Sequence, residues 1–138
     1  MSEDVVYGVE PDLGVEEFID VLRRSGLDAR RPVGDRPRIA RMLANSNLIV
    51  TARAGSRLVG VSRAVSDVGY CCYLSDLAVD RADQKRGIGR RLIAETRARA
   101  GGPDTMLLLL AAPGVEGYYR HIGMENLTTA FLIPRAVP

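Results

Sequence analysis

The spacing of apolar residues in the first half of the chain predicts short strands and amphipathic helices. Within residues 14–25, apolar side chains recur at the three- and four-residue spacing of a single helical face. Two later apolar runs are separated only by Gly55-Ser56, which is typical of an antiparallel hairpin. The predicted order is a strand, two helices and the hairpin, over residues 5–9, 14–25, 36–44, 48–54 and 58–65.

The second half predicts a longer strand, a helix and a return to the sheet. The unbroken apolar run Met106–Ala111 indicates a strand that is covered on both faces. Gly101-Gly102-Pro103 ends the helix that precedes this run. The predicted elements are a strand, a helix, a strand, a short helix and one or two final strands, over residues 70–79, 87–100, 106–111, 115–122 and 124–133.

This order of elements, β-α-α-β-β-β-α-β-α-β, predicts an α/β fold of the α+β kind. Antiparallel hairpins come first and a βαβ crossover follows, so the central sheet is expected to be mixed and mostly antiparallel. Helices are expected on both of its faces. A length of 138 residues fits one domain spanning residues 1–138.

Composition and charge narrow the possible functions. A net charge of +2 is too small to indicate nucleic-acid binding by itself. The acidic start and the absence of a long apolar stretch predict a cytoplasmic protein that does not associate with membranes. Cys71 and Cys72 are adjacent, so on a strand they point to opposite faces and cannot easily form a disulfide. His121 is the only histidine, which leaves little material for a metal site, and none is predicted.

Glycines and basic residues come together at the start of the helix predicted over residues 87–100. Gln84-Lys85-Arg86-Gly87-Ile88-Gly89, called the glycine turn below, fits the pattern Q/R-x-x-G-x-G/A. Amides at a helix N-terminus lack intrahelical partners, and the helix dipole favours an anion there. A P-loop is excluded because Gly-Lys-Ser/Thr is absent, and Leu92 stands where a dinucleotide-binding turn has its third glycine. An anion site and an ordinary glycine helix cap remain as alternatives.

The surroundings of the glycine turn resemble a known family. Leu74–Asp80, the turn itself and Arg90–Ile93 resemble the acetyl-CoA-binding core of the GNAT superfamily of N-acyltransferases. Gly117–Met124 resembles the second signature of that superfamily, in which an aromatic-tyrosine pair precedes a Gly-Phe. Two departures are that Met124 replaces the phenylalanine, and that Ala112-Pro113 occupies the region where many relatives have an asparagine.

The resemblance implies acetyl-CoA as co-substrate and a set of site residues. The strand before the turn would pair with the pantetheine arm, and the amides of the turn would bind the pyrophosphate. Tyr119 matches the tyrosine that protonates the departing thiolate, whereas Tyr118 is expected to pack against the sheet. The implied cofactor-binding residues are Leu77, Ala78, Val79, Lys85, Arg86, Gly87, Ile88, Gly89 and Arg90.

A general base is harder to identify. Asp76 is the leading carboxylate, because it lies on the strand lining the acyl site and is expected to share a face with Tyr70, Cys72 and Leu74. The alternative is that Asp76 has a structural pairing role. Glu116 is a weaker candidate.

The expected function is therefore N-acetylation of a primary amine on a small molecule or peptide. The alternative from another class is a non-catalytic acyl-CoA-binding module on the same fold. Nucleic-acid binding ranks last, because no aromatic residues interleave the basic cluster. The acceptor pocket is expected to include the loop of residues 26–35, and nearby arginines would either attract an acidic acceptor or be solvated. Relatives are often dimers, so a homodimer is possible.

Overall fold

A computed structural model describes residues 4–137 and contains one five-stranded sheet with strand order β1-β2-β3-β4-β5. The elements are β1 Val5–Val9, α1 Val15–Ser25, α2 Arg36–Ala44, β2 Leu48–Ala54, β3 Arg57–Ser66, β4 Cys71–Val79, α3 Ile88–Arg99, β5 Met106–Leu108 and α4 Glu116–His121. Strands β1 to β4 pair antiparallel in chain order, and β5 pairs parallel to β4 after the α3 crossover. The predicted mixed, mostly antiparallel fold is confirmed.

Helices cover both faces of this sheet. On one face, Phe18 and Leu22 of α1 and Ile39 of α2 are 0% exposed and form one apolar cluster with the strands. On the other face, Ile88 and Leu92 of α3 form a second cluster with other strand residues. Because both faces are buried, β2 and β3 are apolar on both sides along most of their length.

A close approach at Gly60 brings α3 onto the sheet. A side-chain carbon built on Gly60 would stand 3.0 Å from Leu92 Cδ1 and 3.2 Å from Ile88 Cγ2. The missing side chain therefore sets how near the first turns of α3 lie to β3. Ser62 and Thr96 join the same two elements through a buried hydroxyl hydrogen bond of 2.7 Å. The N-terminus of α3 is fixed beside the end of β4.

Two predictions about the C-terminal part are wrong. The run Met106–Ala111 is a strand only at residues 106–108, and it lies at the sheet edge with Met106 52% exposed. Residues 124–133 form no strand, and Phe131 and Ile133 are 97% and 96% exposed. The strand β5 ends after three residues, and residues 124–127 and 130 line a cavity of about 780 Å³ together with residues 106–111 instead of pairing with them.

Cys71 is exposed and Cys72 is buried, as adjacent strand residues on opposite faces should be. Among residues 4–137, no helix combines the length and the apolar character that a membrane span needs.

Candidate functional site

The strands β4 and β5 pair over only three residues, the whole length of β5. Cys71, Cys72 and Tyr73 pair with Met106, Leu107 and Leu108, and no ladder pair follows among the described residues. The rest of β4, Leu74–Val79, therefore has no strand on its β5 side. We call this gap the slot. The edge of an open strand can hydrogen-bond an extended, amide-bearing ligand, and the predicted positions Leu77, Ala78 and Val79 lie along it.

The glycine turn lies at the end of this open strand and has an unusual backbone. Lys85 and Gly87 have φ of 65° and 80°, in the left-handed region. When right-handed and left-handed residues alternate, their successive backbone N–H groups point into one concavity, and such a concavity binds anions. Gly87 is the N-cap of α3 and supplies no side-chain cap, so no side chain occupies the first amides of the helix. The geometry favours an anion site over an ordinary capped helix.

Side chains hold the glycine turn against the strand. Gln84 donates from Nε2 to the carbonyl oxygen of Val79 over 3.1 Å, which joins the turn to the end of β4. Arg86 donates to Asp83 over 2.8 Å, and Arg57 reaches the same buried carboxylate over 2.8 Å. The Arg57 hydrogen bond holds the pKa of Asp83 below its usual range. Arg86 thus shares its charge with Asp83, a residue that sequence reasoning missed although it stands three positions earlier.

Tyr118 lies against the glycine turn. A side-chain carbon built on Gly89 would stand 3.0 Å from the Tyr118 hydroxyl oxygen and 3.8 Å from Val79 Cγ2. The hydroxyl therefore lies where the turn meets the slot, and Tyr118 is 40% exposed. The contacts place the Tyr118 hydroxyl beside Gly89 of α3, and the expectation that the ring packs against the sheet stays a prediction. Adjacent residues on a helix point about 100° apart, so α4 cannot aim both tyrosines at the turn.

Tyr119 faces the cavity on the outer side of β5. Its ring lies edge-on to that of Tyr118, with centroids 5.2 Å apart. It lines the 780 Å³ cavity together with leucines of residues 107–110 and Met124. Burial raises the pKa of the Tyr119 hydroxyl, so it stays protonated at neutral pH. Its role as the acid stays a prediction, and the structure adds Tyr118 as a second candidate.

A β-bulge changes the face on which Asp76 lies. Arg63 pairs with Asp76, but the next residue of β3, Ala64, pairs with Leu74, so Ser75 is an extra residue in β4. Leu74 belongs to the apolar cluster under α3, whereas Ala78 belongs to the cluster under α1 and α2. Asp76 is on the Ala78 side. The prediction that Asp76 shares a face with Leu74 is wrong, because the bulge reverses the alternation.

Two arginines enclose the carboxylate of Asp76, which is 0% exposed. Arg31 donates from Nε to Oδ1, and Arg63 donates from Nε to Oδ2. Both carboxylate oxygens are therefore bound to guanidinium groups. This arrangement favours the structural alternative for Asp76, and its role as a general base stays a prediction. The weaker candidate, Glu116, accepts a hydrogen bond from the Gly114 amide over 3.0 Å and is exposed.

Comparison with known proteins identifies the family. The profile of the acetyltransferase (GNAT) domain matches residues 33–131. Among solved structures, a GNAT-family acetyltransferase from Streptococcus pneumoniae is 21% identical, with 96% of this chain and 99% of that chain covered and a TM-score of 0.67. A probable acetyltransferase from Staphylococcus aureus is 18% identical, with 96% and 100% covered and a TM-score of 0.74. An aminoglycoside acetyltransferase from an uncultured soil metagenomic sample is 26% identical, with 99% and 100% covered and a TM-score of 0.67. With a glycine turn beside an open strand and a family profile that spans most of its length, this chain belongs to the GNAT acetyltransferases.

Proposed function

We propose that the protein transfers an acetyl group from acetyl-CoA to a primary amine. The observation that carries the proposal is the adjacency of two features: the glycine turn, with its left-handed residues, is bonded through Gln84 to the end of the part of β4 that has no partner on its β5 side. A pyrophosphate and an amide-bearing arm follow each other in the same way along CoA. Acetyl-CoA supplies an activated acyl carbon, so the chain itself needs only to bind, orient and move protons.

Each part of the site then has a task. The amides of Lys85 to Arg90 bind the pyrophosphate, and the absence of a side chain at Gly87 lets it approach the backbone. The open edge of Leu77 to Val79 pairs with the pantetheine amides. A tyrosine hydroxyl hydrogen-bonds the thioester sulfur and donates its proton to it as the carbon–sulfur bond breaks, and the hydroxyl is available as an acid because it is protonated at neutral pH. The attacking amine must lose a proton. Among residues 4–137, both candidate carboxylates, Asp76 and Glu116, already accept hydrogen bonds, so the proton passes to water.

The acceptor class is proposed from the structural neighbours. Some structural neighbours are aminoglycoside acetyltransferases, one of them in complex with CoA at 14% identity and a TM-score of 0.73. These neighbours support a small-molecule amine rather than a protein side chain. The alternative is a non-catalytic acyl-CoA-binding module, which the missing asparagine and the enclosed Asp76 favour.

An amine screen with thiol detection tests the catalytic proposal. The protein is incubated with acetyl-CoA and a panel of mono- and polyamines, amino acids and aminoglycosides, and free CoA is measured. Amine-dependent thiol release supports transfer. Saturable acetyl-CoA binding without release across the panel would support the binding module instead.

The two tyrosines form a matched pair for the acid. Tyr118→Phe and Tyr119→Phe each remove one hydroxyl and keep the ring. The acid variant should lose about 100- to 10,000-fold in kcat, in the range of a general acid. The other variant should stay within a few-fold. Equal rates in both variants would exclude a tyrosine acid.

A further inference from the structure

The Asp76 cluster, defined as Asp76, Ser75, Arg31 and Arg63, lies where β4 and β5 separate. The last ladder pair joins Tyr73 to Leu108, and the extra residue Ser75 follows two positions later. The bulge and the opening of the slot therefore coincide. A bulge bends its strand and re-aims the residues after it, so its shape determines how the open edge faces the slot.

Arg31 connects this bulge to the segment between α1 and α2. Its Nη2 donates to the Ser75 carbonyl over 2.7 Å, its Nε donates to Asp76, and its Nη1 donates to the Arg30 carbonyl over 2.7 Å. All three guanidinium nitrogens are thus engaged, in a side chain that is only 20% exposed. Such a fork cannot be reproduced by a single ammonium group. Arg31, the C-cap of the 3₁₀ turn Leu27–Arg30, is therefore bonded to β4 at the point where the slot begins.

Arg63 holds the bulge from the other side. Its Nη2 donates to Ser75 Oγ over 3.0 Å and its Nη1 to Ser46 Oγ over 2.9 Å. With Asp76 between two guanidinium groups, the cluster carries one net positive charge. Removing one partner of a buried ion pair leaves an uncompensated charge, so the members depend on one another.

We infer that Arg31 is a positioning residue: through Asp76 and the Ser75 carbonyl it fixes residues 27–35 against the β4 bulge and so shapes the acceptor side of the slot. Asp76 serves this arrangement and is not the proton acceptor. The kinetic part of the inference rests on the proposed acetyl transfer, whereas the structural part does not.

Hydrogen exchange tests the structural part without any substrate. The amides of Arg31 and Val33 already have local hydrogen bonds, of 3.3 Å and 2.9 Å, so their protection is measurable. In Arg31→Ala, peptides covering residues 27–35 should exchange at least about tenfold faster, while β2 stays unchanged. Arg30→Ala, which removes an exposed neighbouring arginine, is the matched control and should stay within about twofold of wild type.

Asp76→Asn gives an independent arm. It keeps the shape of the side chain and removes its charge, so it should loosen the same segment, 45 positions away from Arg31 in sequence. If Asp76→Asn destabilises the whole chain, the hydrogen exchange of Arg31→Ala alone tests the inference. Unchanged exchange of residues 27–35 in Arg31→Ala would overturn the inference.

The kinetic arm uses the amine that releases most thiol in the screen. Arg31→Ala should raise the KM for that amine at least about fivefold and leave the KM for acetyl-CoA within about twofold, because Arg63 still holds the bulge through Asp76 and Ser75 and the glycine turn is untouched. Arg31→Lys should restore part of the loss, since one donor can still reach Asp76 or Ser75. An equal rise in both KM values would show general disruption and contradict the inference. If hydrogen exchange changes as predicted but no amine is acetylated, the result counts against the proposed function and not against the positioning role of Arg31.

Discussion

Replacing the two glycines of the glycine turn separates backbone strain from ligand access. Gly87 has φ of 80°, and a side-chain carbon there would meet nothing within 4 Å. Gly87→Ala should therefore cost only the left-handed conformation, about 1–2 kcal/mol, and lower the Tm by about 3–8 °C. Gly89 has no positive φ and lies in the first turn of α3, where alanine is favoured by up to about 1 kcal/mol.

The methyl of Gly89→Ala would stand 3.0 Å from the Tyr118 hydroxyl, at the end of a side chain that can shift by a few tenths of an ångström. Gly89→Ala should thus keep or slightly raise the Tm. Gly87→Ala should in addition weaken acetyl-CoA binding by about tenfold or more, which is about 1.4 kcal/mol, because its methyl lies at the proposed pyrophosphate site. Gly89→Ala should bind acetyl-CoA within a few-fold of wild type, since the pattern of the glycine turn accepts Ala at this position.

Thermal unfolding and calorimetric titration with acetyl-CoA measure these two effects. Gly102→Ala is the matched control, since Gly102 has φ of 66°, has nothing within 4 Å and lies beyond the opposite end of α3. It should lower the Tm like Gly87→Ala and leave acetyl-CoA binding unchanged. Wild-type affinity in Gly87→Ala would refute the assignment of the turn, and an unchanged Tm in Gly87→Ala would refute the strain argument.

Two further predictions concern stability. Gly60→Ala should lower the free energy of unfolding by about 1–3 kcal/mol, because its methyl would stand 3.0 Å from a leucine of α3 and 3.3 Å from a backbone oxygen. Gly8→Ala is the control: a methyl there would meet nothing within 4 Å, so it should cost far less in the same denaturant titration. Hydrogen bonds from Arg53 hold the pKa of Glu10 and Glu17 below the ordinary 4.5, so their contribution is present above that pH and is lost as the pH falls through the lowered values. Arg53→Met should flatten the decline of Tm below pH 4.5, and an equally steep decline would contradict this.

The elements with a local signal could be predicted from the sequence. The spacing of apolar residues located α1 and α3 to within a residue or two, because each helix buries one continuous stripe. The glycine turn was visible because its unusual backbone requires glycine at Gly87. These features depend on residues that are close together in the chain.

The bulge at Ser75 leaves no such signal. Buried residues alternate regularly along β4 through Cys72, Leu74, Asp76 and Ala78. Because helices cover both faces of the sheet, this alternation continues even where the side chains change faces. The partners of Asp76 come from distant parts of the chain, so neither they nor the enclosure of its carboxylate could be inferred from spacing.

The final segment shows the opposite case. Residues 124–133 have the composition of a strand, but a strand also needs an edge with which to pair. The edge strand β5 has only three residues, and the cavity lies between its outer side and the segment. The sequence pattern indicates strand propensity, but it does not indicate whether a strand edge is available for pairing.

The central claim is that the glycine turn binds the pyrophosphate of acetyl-CoA. Isothermal titration of the protein with acetyl-CoA tests it most directly, with Gly89→Trp as the comparison, since an indole there would occupy the concavity of the turn. The account predicts saturable binding at one site per chain in the wild type and its loss in a Gly89→Trp variant that still unfolds cooperatively. Absence of saturable binding by the wild type at millimolar acetyl-CoA, or equal binding by the folded variant, would contradict it.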